Sequence, residues 1–302
     1  MRYNYGSFEL NSLPQLQLQP LRLEALDPKR GLSSSTGADL LVIPQRGSSQ
    51  YQVGFAISER SVDQVLRLRF EVFNLEMKEG LLTSLATGRD EDPFDSQMHH
   101  LVIWETATQR MIGTYRLQPA SHALKGIGLY SASEYDLAPL LPLQEELLEC
   151  GRACIIKEHR SLQTITMLWR GIRAYLQIFN LRYLFGCCSI TTNDPDDGWR
   201  ALKMIRQRQA LHPEYLLRAL PSCSCGDLSR ENDPALGEAI PLPKLFGVYL
   251  TMGGKVISEP AIDRAFGTVD FLILVDQKEV GTPVMNLVPT FSSLFTKAES
   301  GM

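Results

Sequence analysis

The stretch Leu147-Leu148-Glu149-Cys150-Gly151-Arg152-Ala153-Cys154-Ile155-Ile156 has the composition of a buried strand, yet a carboxylate and a guanidinium interrupt it. The elements on either side of it decide the fold. From Arg160 to Phe179, the residues Ile165, Leu168, Trp169, Ile172, Leu176 and Phe179 recur on one helical face, which predicts an amphipathic helix. Asn180 is placed to end it in a left-handed conformation. Residues 181–190 then read as another strand. Nearer the N-terminus, Tyr51, Val53, Phe55 and Ile57 alternate with small or polar residues and predict a half-buried first strand. Ser61 as N-cap, with Gln64 reaching back, predicts the start of a helix that runs to about Met77. Residues 101–104 and 111–117, joined by a turn over 105–110, predict a hairpin. Strand, helix, hairpin, strand, helix, strand is not strict βαβ alternation. It predicts an α/β (α+β) fold, a mixed central sheet flanked by helices.

Outside this frame the signals are weaker. A basic helical stretch over 199–209, a loop rich in proline and cysteine over 221–234, a helix near 243–252 and a closing strand over 269–275 form a C-terminal extension of the same unit. Residues 1–50 carry Leu16-Gln17-Leu18-Gln19, Pro14, Pro20 and the run Ser33-Ser34-Ser35-Thr36-Gly37. They predict a partly disordered N-terminal appendage with a short strand near Leu40–Ile43. The expected division is thus an appendage over 1–50, a catalytic unit over 51–276 and a tail over 277–302.

Composition narrows the function. No apolar run approaches the roughly 18 residues that a membrane span needs, and the first residues lack the apolar core of a signal peptide, so a cytoplasmic protein is expected. A formal charge of −4 argues against a general nucleic-acid binder, because phosphate neutralisation requires a basic surface. Six cysteines are too few for a disulfide scaffold in a chain of this length. Cys150/Cys154, Cys187-Cys188 and Cys223/Cys225 lack the spacing typical of zinc sites, and reduced buried thiols and no metal are expected. His99, His100 and His159 stand in no nucleophile-and-base context with any cysteine.

The informative feature is charge placed on apolar elements. Arg69 falls on the stripe of Val62, Val65, Leu66, Val72 and Phe73, and a buried arginine must have a partner. Arg116 sits in the second hairpin strand, Asp92-Pro93-Phe94-Asp95 forms a turn, and Glu149 and Arg152 interrupt the strand over 147–156. These groups form either an ionic brace for the sheet or a site. Buried ionic networks stabilise poorly compared with apolar packing, so this many charges on central elements point to a site.

In order and spacing, Arg69-x-x-x-Phe73, Asp92-x-x-Asp95, Arg116 and Glu149-x-x-Arg152 resemble the charged pattern of acyl-homoserine-lactone synthases. They are closer still to the ornithine-lipid and N-acyl-amino-acid synthases of the GNAT superfamily. Leu168-Trp169-Arg170-Gly171-Ile172, Tyr130-Ser131-Ala132-Ser133-Glu134-Tyr135-Asp136-Leu137 and Thr268-Val269-Asp270-Phe271-Leu272-Ile273-Leu274 add to the likeness, which spans about residues 55–276. The resemblance implies a GNAT fold and an acyltransferase of lipid metabolism. It would move a (3-hydroxy)fatty acyl group from acyl carrier protein to the α-amine of ornithine and give a lyso-ornithine lipid. Another acceptor, such as glycine or tyrosine, or an acyl-homoserine-lactone-type signal remains the alternative. Two readings of another class, a membrane-damaging protein and a catalytically dead binding module, find no support in lytic helices or in missing charges.

The resemblance also implies roles. Glu149 would be the general base, with Asp92, Asp95 and Arg152 in the catalytic group, and Arg69, Phe73 and Arg116 would bind substrate. Asp92 or Asp95 would receive a second ammonium such as ornithine's. Gly151 permits a bulge that would bring Glu149 and Arg152 into one cleft despite strand parity, with backbone N–H groups there for the oxyanion. Where GNAT enzymes have a glycine-rich phosphate loop, this chain has Arg160-Ser161-Leu162-Gln163-Thr164-Ile165, without the glycine. Arg160, Ser161, Leu162 and Thr164 are therefore expected to hold the single phosphodiester of a carrier's 4′-phosphopantetheine, with no other cofactor. Carrier proteins are acidic, so Lys157, Arg160, Arg170 and Arg173, or Arg200, Lys203, Arg206 and Arg208, are the expected docking clusters. Peripheral membrane contact would serve product release.

Overall fold

The computed structural model describes residues 33–34, 39–43 and 50–280. Most of the expected appendage and most of the tail therefore lie outside the described residues. The strands are β1 (Ser33–Ser34), β2 (Leu40–Val42), β3 (Tyr51–Ala56), β4 (His99–Glu105), β5 (Met111–Pro119), β6 (Leu147–Ile155), β7 (Tyr183–Ile190), β8 (Lys255–Val256), β9 (Ala261–Asp263) and β10 (Thr268–Asp276). The helices are α1 (Glu59–Phe70), the single turns α2 (Ser84–Thr87) and α3 (Ala120–Ala123), then α4 (Leu162–Ile178), α5 (Pro195–Gln207) and α6 (Lys244–Thr251). One mixed sheet runs β1-β2-β3-β4-β5-β6-β7-β10-β8, with β9 also paired to β10. Every pairing is antiparallel except β6 with β7.

One local reading needs correction. The α1 helix starts three residues earlier than the Ser61 cap predicts. Ser58 is the N-cap: its hydroxyl accepts from the Ser61 amide at 3.1 Å, while the Ser61 hydroxyl accepts from the Ser58 amide at 3.0 Å. Two serines three apart satisfy each other reciprocally, so Gln64 is left with no part in the cap. The segment after Met77 contains α2 and carries the fully buried Asp90. The helix does reach Met77, but its last part, Glu71–Glu76, is a π turn in which the Met77 amide donates to the Val72 carbonyl at 2.9 Å. Asn180 ends α4 with φ 54°.

The sheet is covered on both faces. Successive side chains of a strand point to opposite faces. In β4, His99 meets the Tyr175 hydroxyl of α4 at 2.7 Å, while His100 turns to the other face and meets the Asp95 carbonyl at 3.3 Å. Those histidines are thus buried sheet residues. Gly171 lets α4 lie directly on β4, where a Cβ would overlap Leu101. All nine residues of β5 are buried, as double coverage requires. Among the described residues, no helix is long and apolar enough to cross a membrane.

Candidate active site

The site begins where the sheet splits. Strands β6 and β7 pair in parallel only at Leu147, Leu148 and Glu149, opposite Tyr183, Leu184 and Phe185. Beyond that point β6 follows β5 and β7 follows β10. Gly186 stands at the divergence, where a Cβ would overlap the Cys150 carbonyl oxygen; only glycine permits this approach. The gap opens into a cavity of about 210 Å³. One wall is Glu149, Cys150, Gly151, Arg152 and Ala153 of β6, and the facing wall is Cys187, Cys188 and Ser189 of β7. Phe73 and Met77 from the π turn, Tyr130, and Phe246 and Tyr249 of α6 close the sides.

A β-bulge shapes the first wall. Thr114 pairs with Cys154 and Arg116 pairs with Gly151, so Arg152 and Ala153 together oppose Tyr115. The left-handed residue of the bulge is Arg152 itself, at φ 52°, and not Gly151. A non-glycine residue in this region is strained, and such strain concentrates at sites that need it. Here the bulge offsets strand parity and swings Arg152 onto the side occupied by Arg116.

Three arginines and three aspartates then interlock. Arg69 donates from Nε to Asp90 at 3.0 Å and from its two terminal nitrogens to Asp95 at 2.6 and 3.1 Å. Arg116 Nη1 bridges Asp92 at 2.7 Å and Asp95 at 2.9 Å. Arg152 reaches Asp92 at 3.2 Å and Asp90 at 3.4 Å. The Asp92-Pro93-Phe94-Asp95 turn holds its own aspartates, because Asp92 caps the Phe94 amide and Asp95 accepts from the Asp92 amide, each at 2.9 Å. Burial disfavours the Asp95 carboxylate, but Arg116 and Arg69 outweigh it and hold the group far below the usual carboxylate range. Burial likewise opposes the charges of Arg69 and Arg152, and their anionic neighbours more than restore them.

Of the residues predicted for the site, Glu149, Arg152, Arg116 and Phe73 line the cavity. Arg69, Asp92 and Asp95 lie behind it as the brace that fixes Arg116 and Arg152. Asp92 and Asp95 are committed to guanidinium groups, which leaves neither open to a substrate ammonium. Glu149 is buried and takes no part in the ionic brace. Its two oxygens accept from the backbone amides of Tyr130 and Ser131 at 2.9 and 2.8 Å. Burial raises its pKa, with those donors opposing.

The predicted phosphopantetheine residues are elsewhere. Ser161 caps α4, accepting from the Thr164 amide at 3.2 Å, and Arg160 pairs with Glu76 at 2.6 Å. Leu162 is 71% exposed. None of Arg160, Ser161, Leu162 or Thr164 lines the cavity. Three members of the second docking cluster have partners within the chain: Arg200 binds Asp197 at 2.6 Å, Lys203 donates to the Gly237 carbonyl at 3.0 Å, and Arg206 pairs with Glu231, while Arg206 and Arg208 stay exposed. Burial pushes the thiols of Cys150, Cys187 and Cys188 well up and that of Cys154 to about 12, so none is a poised nucleophile.

Sequence reasoning missed Asp90, whose polar loop gives no periodic signal. It also missed Tyr130, which lies 5.4 Å from the Arg116 guanidinium and 5.2 Å from that of Arg152, measured to its ring centroid. Glu134, Asp263 and Asp270 went unassigned as well, although Tyr130, Glu134 and Asp270 fall in strings that carried the resemblance.

The chain is similar to several known proteins. Residues 68–170 match the model of a family described as an acetyltransferase (GNAT) domain. The chain is 32% identical over 272 residues to an L-ornithine N(alpha)-acyltransferase of Brucella abortus (strain 2308), covering 86% of this chain and 95% of that one. It is 31% identical over 235 residues to a protein of the same name from Agrobacterium fabrum, covering 73% and 78%. Among solved structures, FeeM, an N-acyl amino acid synthase from uncultured soil microbes, superposes with TM-score 0.47 at 11% identity over 77% of this chain and 95% of that one. The AHL synthase LasI gives 0.44 at 12% over 80% and 95%.

Proposed function

Since this chain belongs to the L-ornithine N(alpha)-acyltransferase family, we propose that it transfers a fatty acyl group from the phosphopantetheine thiol of acyl carrier protein to the α-amine of ornithine. The product is a lyso-ornithine lipid. One observation carries the chemical reading: a buried carboxylate, Glu149, lies at the split between two parallel strands, on the wall of a cavity that also holds Arg116 and Arg152.

The split provides room for a thioester between β6 and β7, with the acyl chain against apolar residues such as Phe73, Met77 and Phe246. Ornithine's α-ammonium must lose a proton before it attacks. Burial raises Glu149 above its ordinary value and so makes it a stronger base; in this reading it takes that proton directly or through one water. The two amides that grip its oxygens fix the carboxylate in place without neutralising it. The amine then attacks the thioester carbonyl. As the tetrahedral intermediate collapses, the C–N bond is kept, the C–S bond breaks, and a second proton from nitrogen neutralises the departing thiolate. The bulge backbone at Arg152–Ala153 lies on the same wall and supplies the oxyanion stabilisation in this reading. Arg116 and Arg152 line the cavity beside Glu149, and these two arginines are the donors assigned to the amino acid's carboxylate in this reading.

Arg160 and the start of α4 are proposed to meet the carrier's phosphodiester at the surface, together with Lys157, Arg170 and Arg173. Arg160 exchanges Glu76 for the incoming phosphate. The test is expression in a bacterial host that makes no ornithine lipid, with lipids analysed by mass spectrometry. Lyso-ornithine lipid with the acyl group on the α-nitrogen is the expected product. Unchanged lipids despite folded, soluble protein overturn the reading.

A further inference from the structure

Across the Tyr130 hydroxyl from Arg152 lies a second group of acids. Asp270 of β10 and Asp263 at the end of β9 line the cavity, and Glu134 backs them after the Tyr130 turn. Asp270 and Glu134 are only 4% and 3% exposed. Among the described residues neither forms an ion pair, and one oxygen of each, Asp270 Oδ1 and Glu134 Oε1, accepts no hydrogen bond at all. Such groups are costly in the ionised form unless a proton or a cation comes to them. Arg152 is the guanidinium whose charge acts on both, but its ion pairs are with Asp90 and Asp92. The Tyr130 hydroxyl joins the two sides, 3.5 Å from Arg152 and 3.4 Å from Asp263.

The cavity therefore has guanidinium groups on one side of Tyr130 and carboxyl groups with unsatisfied oxygens on the other. A zwitterion bearing one further ammonium has the complementary pattern. We infer that Asp270, with Asp263 and Glu134, receives the side-chain ammonium of a diamino-acid acceptor and so sets the preference for it over neutral amino acids. This role rests on the acyl-transfer reading and assigns to it the residues that choose the acceptor. Ligand atoms of Glu134, Asp270 and Cys187 lie within 4.8 Å of one another, a spacing that three N–H donors of one ammonium can span. Burial, then the neighbouring acids, pushes Glu134 well up, and burial raises Asp270 to about 6. An arriving ammonium would return both groups to the ionised form.

The experiment compares ornithine with norvaline, which is the same chain without the δ-amine, using purified enzyme and acyl carrier protein charged with a 3-hydroxyacyl group. Wild type should favour ornithine by about 10²-fold or more in kcat/KM, because a site built around unpaired polar groups rejects an analogue that leaves them unpaired. Asp270→Asn should cut that ratio at least tenfold, with most of the loss in ornithine's own kcat/KM. Asp263→Asn, nearer the rim, makes the same comparison if Asp270→Asn does not fold. A ratio unmoved by either substitution overturns the inference alone. So does loss of wild-type turnover on EDTA treatment that zinc or manganese restores, since the acids would then be ligands to a metal. Wild type that acylates neither amino acid overturns the acyl-transfer reading and the inference together.

Discussion

Two groups of carboxylates border one cavity, and they are balanced in opposite ways. Asp90, Asp92 and Asp95 meet three arginines in a closed lattice of ion pairs. Glu134, Asp263 and Asp270 meet no cation of the chain in an ion pair among the described residues. The fold supplies a cation to every member of the first group, although Asp90 Oδ1 accepts no hydrogen bond, so this group holds Arg116 and Arg152 still at the cavity wall. The second leaves one oxygen each on Glu134 and Asp270 unsatisfied, and the inferred ligand ammonium would complete it. Glu149 stands between these cases: two backbone amides satisfy it without an ion pair, and in the proposed mechanism it exchanges a proton. Burial alone therefore says little about role. The partner decides whether a buried acid braces, reacts or binds.

The largest effect expected from this contrast is at Glu149. Glu149→Gln keeps the shape but cannot take a proton, and kcat should fall by about 10²–10⁴-fold. The Gln side chain presents one NH₂ to a backbone amide in place of an acceptor, with a stability loss of about 1 kcal/mol, so turnover is to be read on protein shown to be folded by circular dichroism. Turnover near wild type would move the base elsewhere.

Next is the brace. Asp95→Ala leaves Arg69 and Arg116 short of a partner in the interior. It should cost about 3–5 kcal/mol in urea unfolding, as removal of one member of a buried pair does. A loss under about 1 kcal/mol would mean that the lattice is incidental.

The pH dependence of stability should then carry opposite signs for the two groups. Asp95 is depressed in the folded protein, so its contribution is present above the unfolded carboxylate range and is lost as pH falls through the folded value. Asp270, facing Glu134 and Asp263, is raised to about 6. Unfolding stability should accordingly increase as pH drops from 7 toward 5, by roughly 1–3 kcal/mol, and decline at lower pH as the brace protonates. Asp270→Asn should flatten the rise and leave the acid-side decline. The same rise in Asp270→Asn as in wild type would assign it to other groups.

The smallest effect is at the surface. Arg160 is partly exposed and paired with Glu76, an interaction in the range of about 0–1 kcal/mol. Arg160→Ala should raise KM for the carrier protein by up to about fivefold, lessen its salt dependence and leave KM for ornithine unchanged. A selective loss of ornithine affinity would place the docking surface elsewhere.

Much of this architecture was legible in the sequence, for local reasons. Arg69 announced its burial because it falls on the apolar stripe of its own helix. The hairpin, the strands and helix around Glu149, the left-handed Asn180 and the bulge at Gly151 are all short-range signals. The strain at Arg152 was not legible, because nothing in Gly151-Arg152 says which residue takes the positive φ. The helix start was misread because Ser58 and Ser61 are chemically equivalent caps, and their pairing selects the first. The acidic corner was out of reach for a different reason. Glu134 and Asp270 are joined only through the β10–β7 register, in which Asp270 sits opposite Ser189, and through the Tyr135 hydroxyl's 2.7 Å bond to the Asp270 carbonyl. Asp90 had no pattern to mark it in a loop already rich in acids.

The central claim, acyl transfer from a carrier thioester to ornithine's α-amine, is tested most directly by free-thiol release from purified 3-hydroxyacyl carrier protein. The account predicts release that depends on both enzyme and ornithine, matched mole for mole by an N-α-acyl ornithine in the mass spectrum and abolished to background by Glu149→Gln. Thiol release at the same rate without ornithine, or ornithine acylated only on its δ-nitrogen, would contradict it.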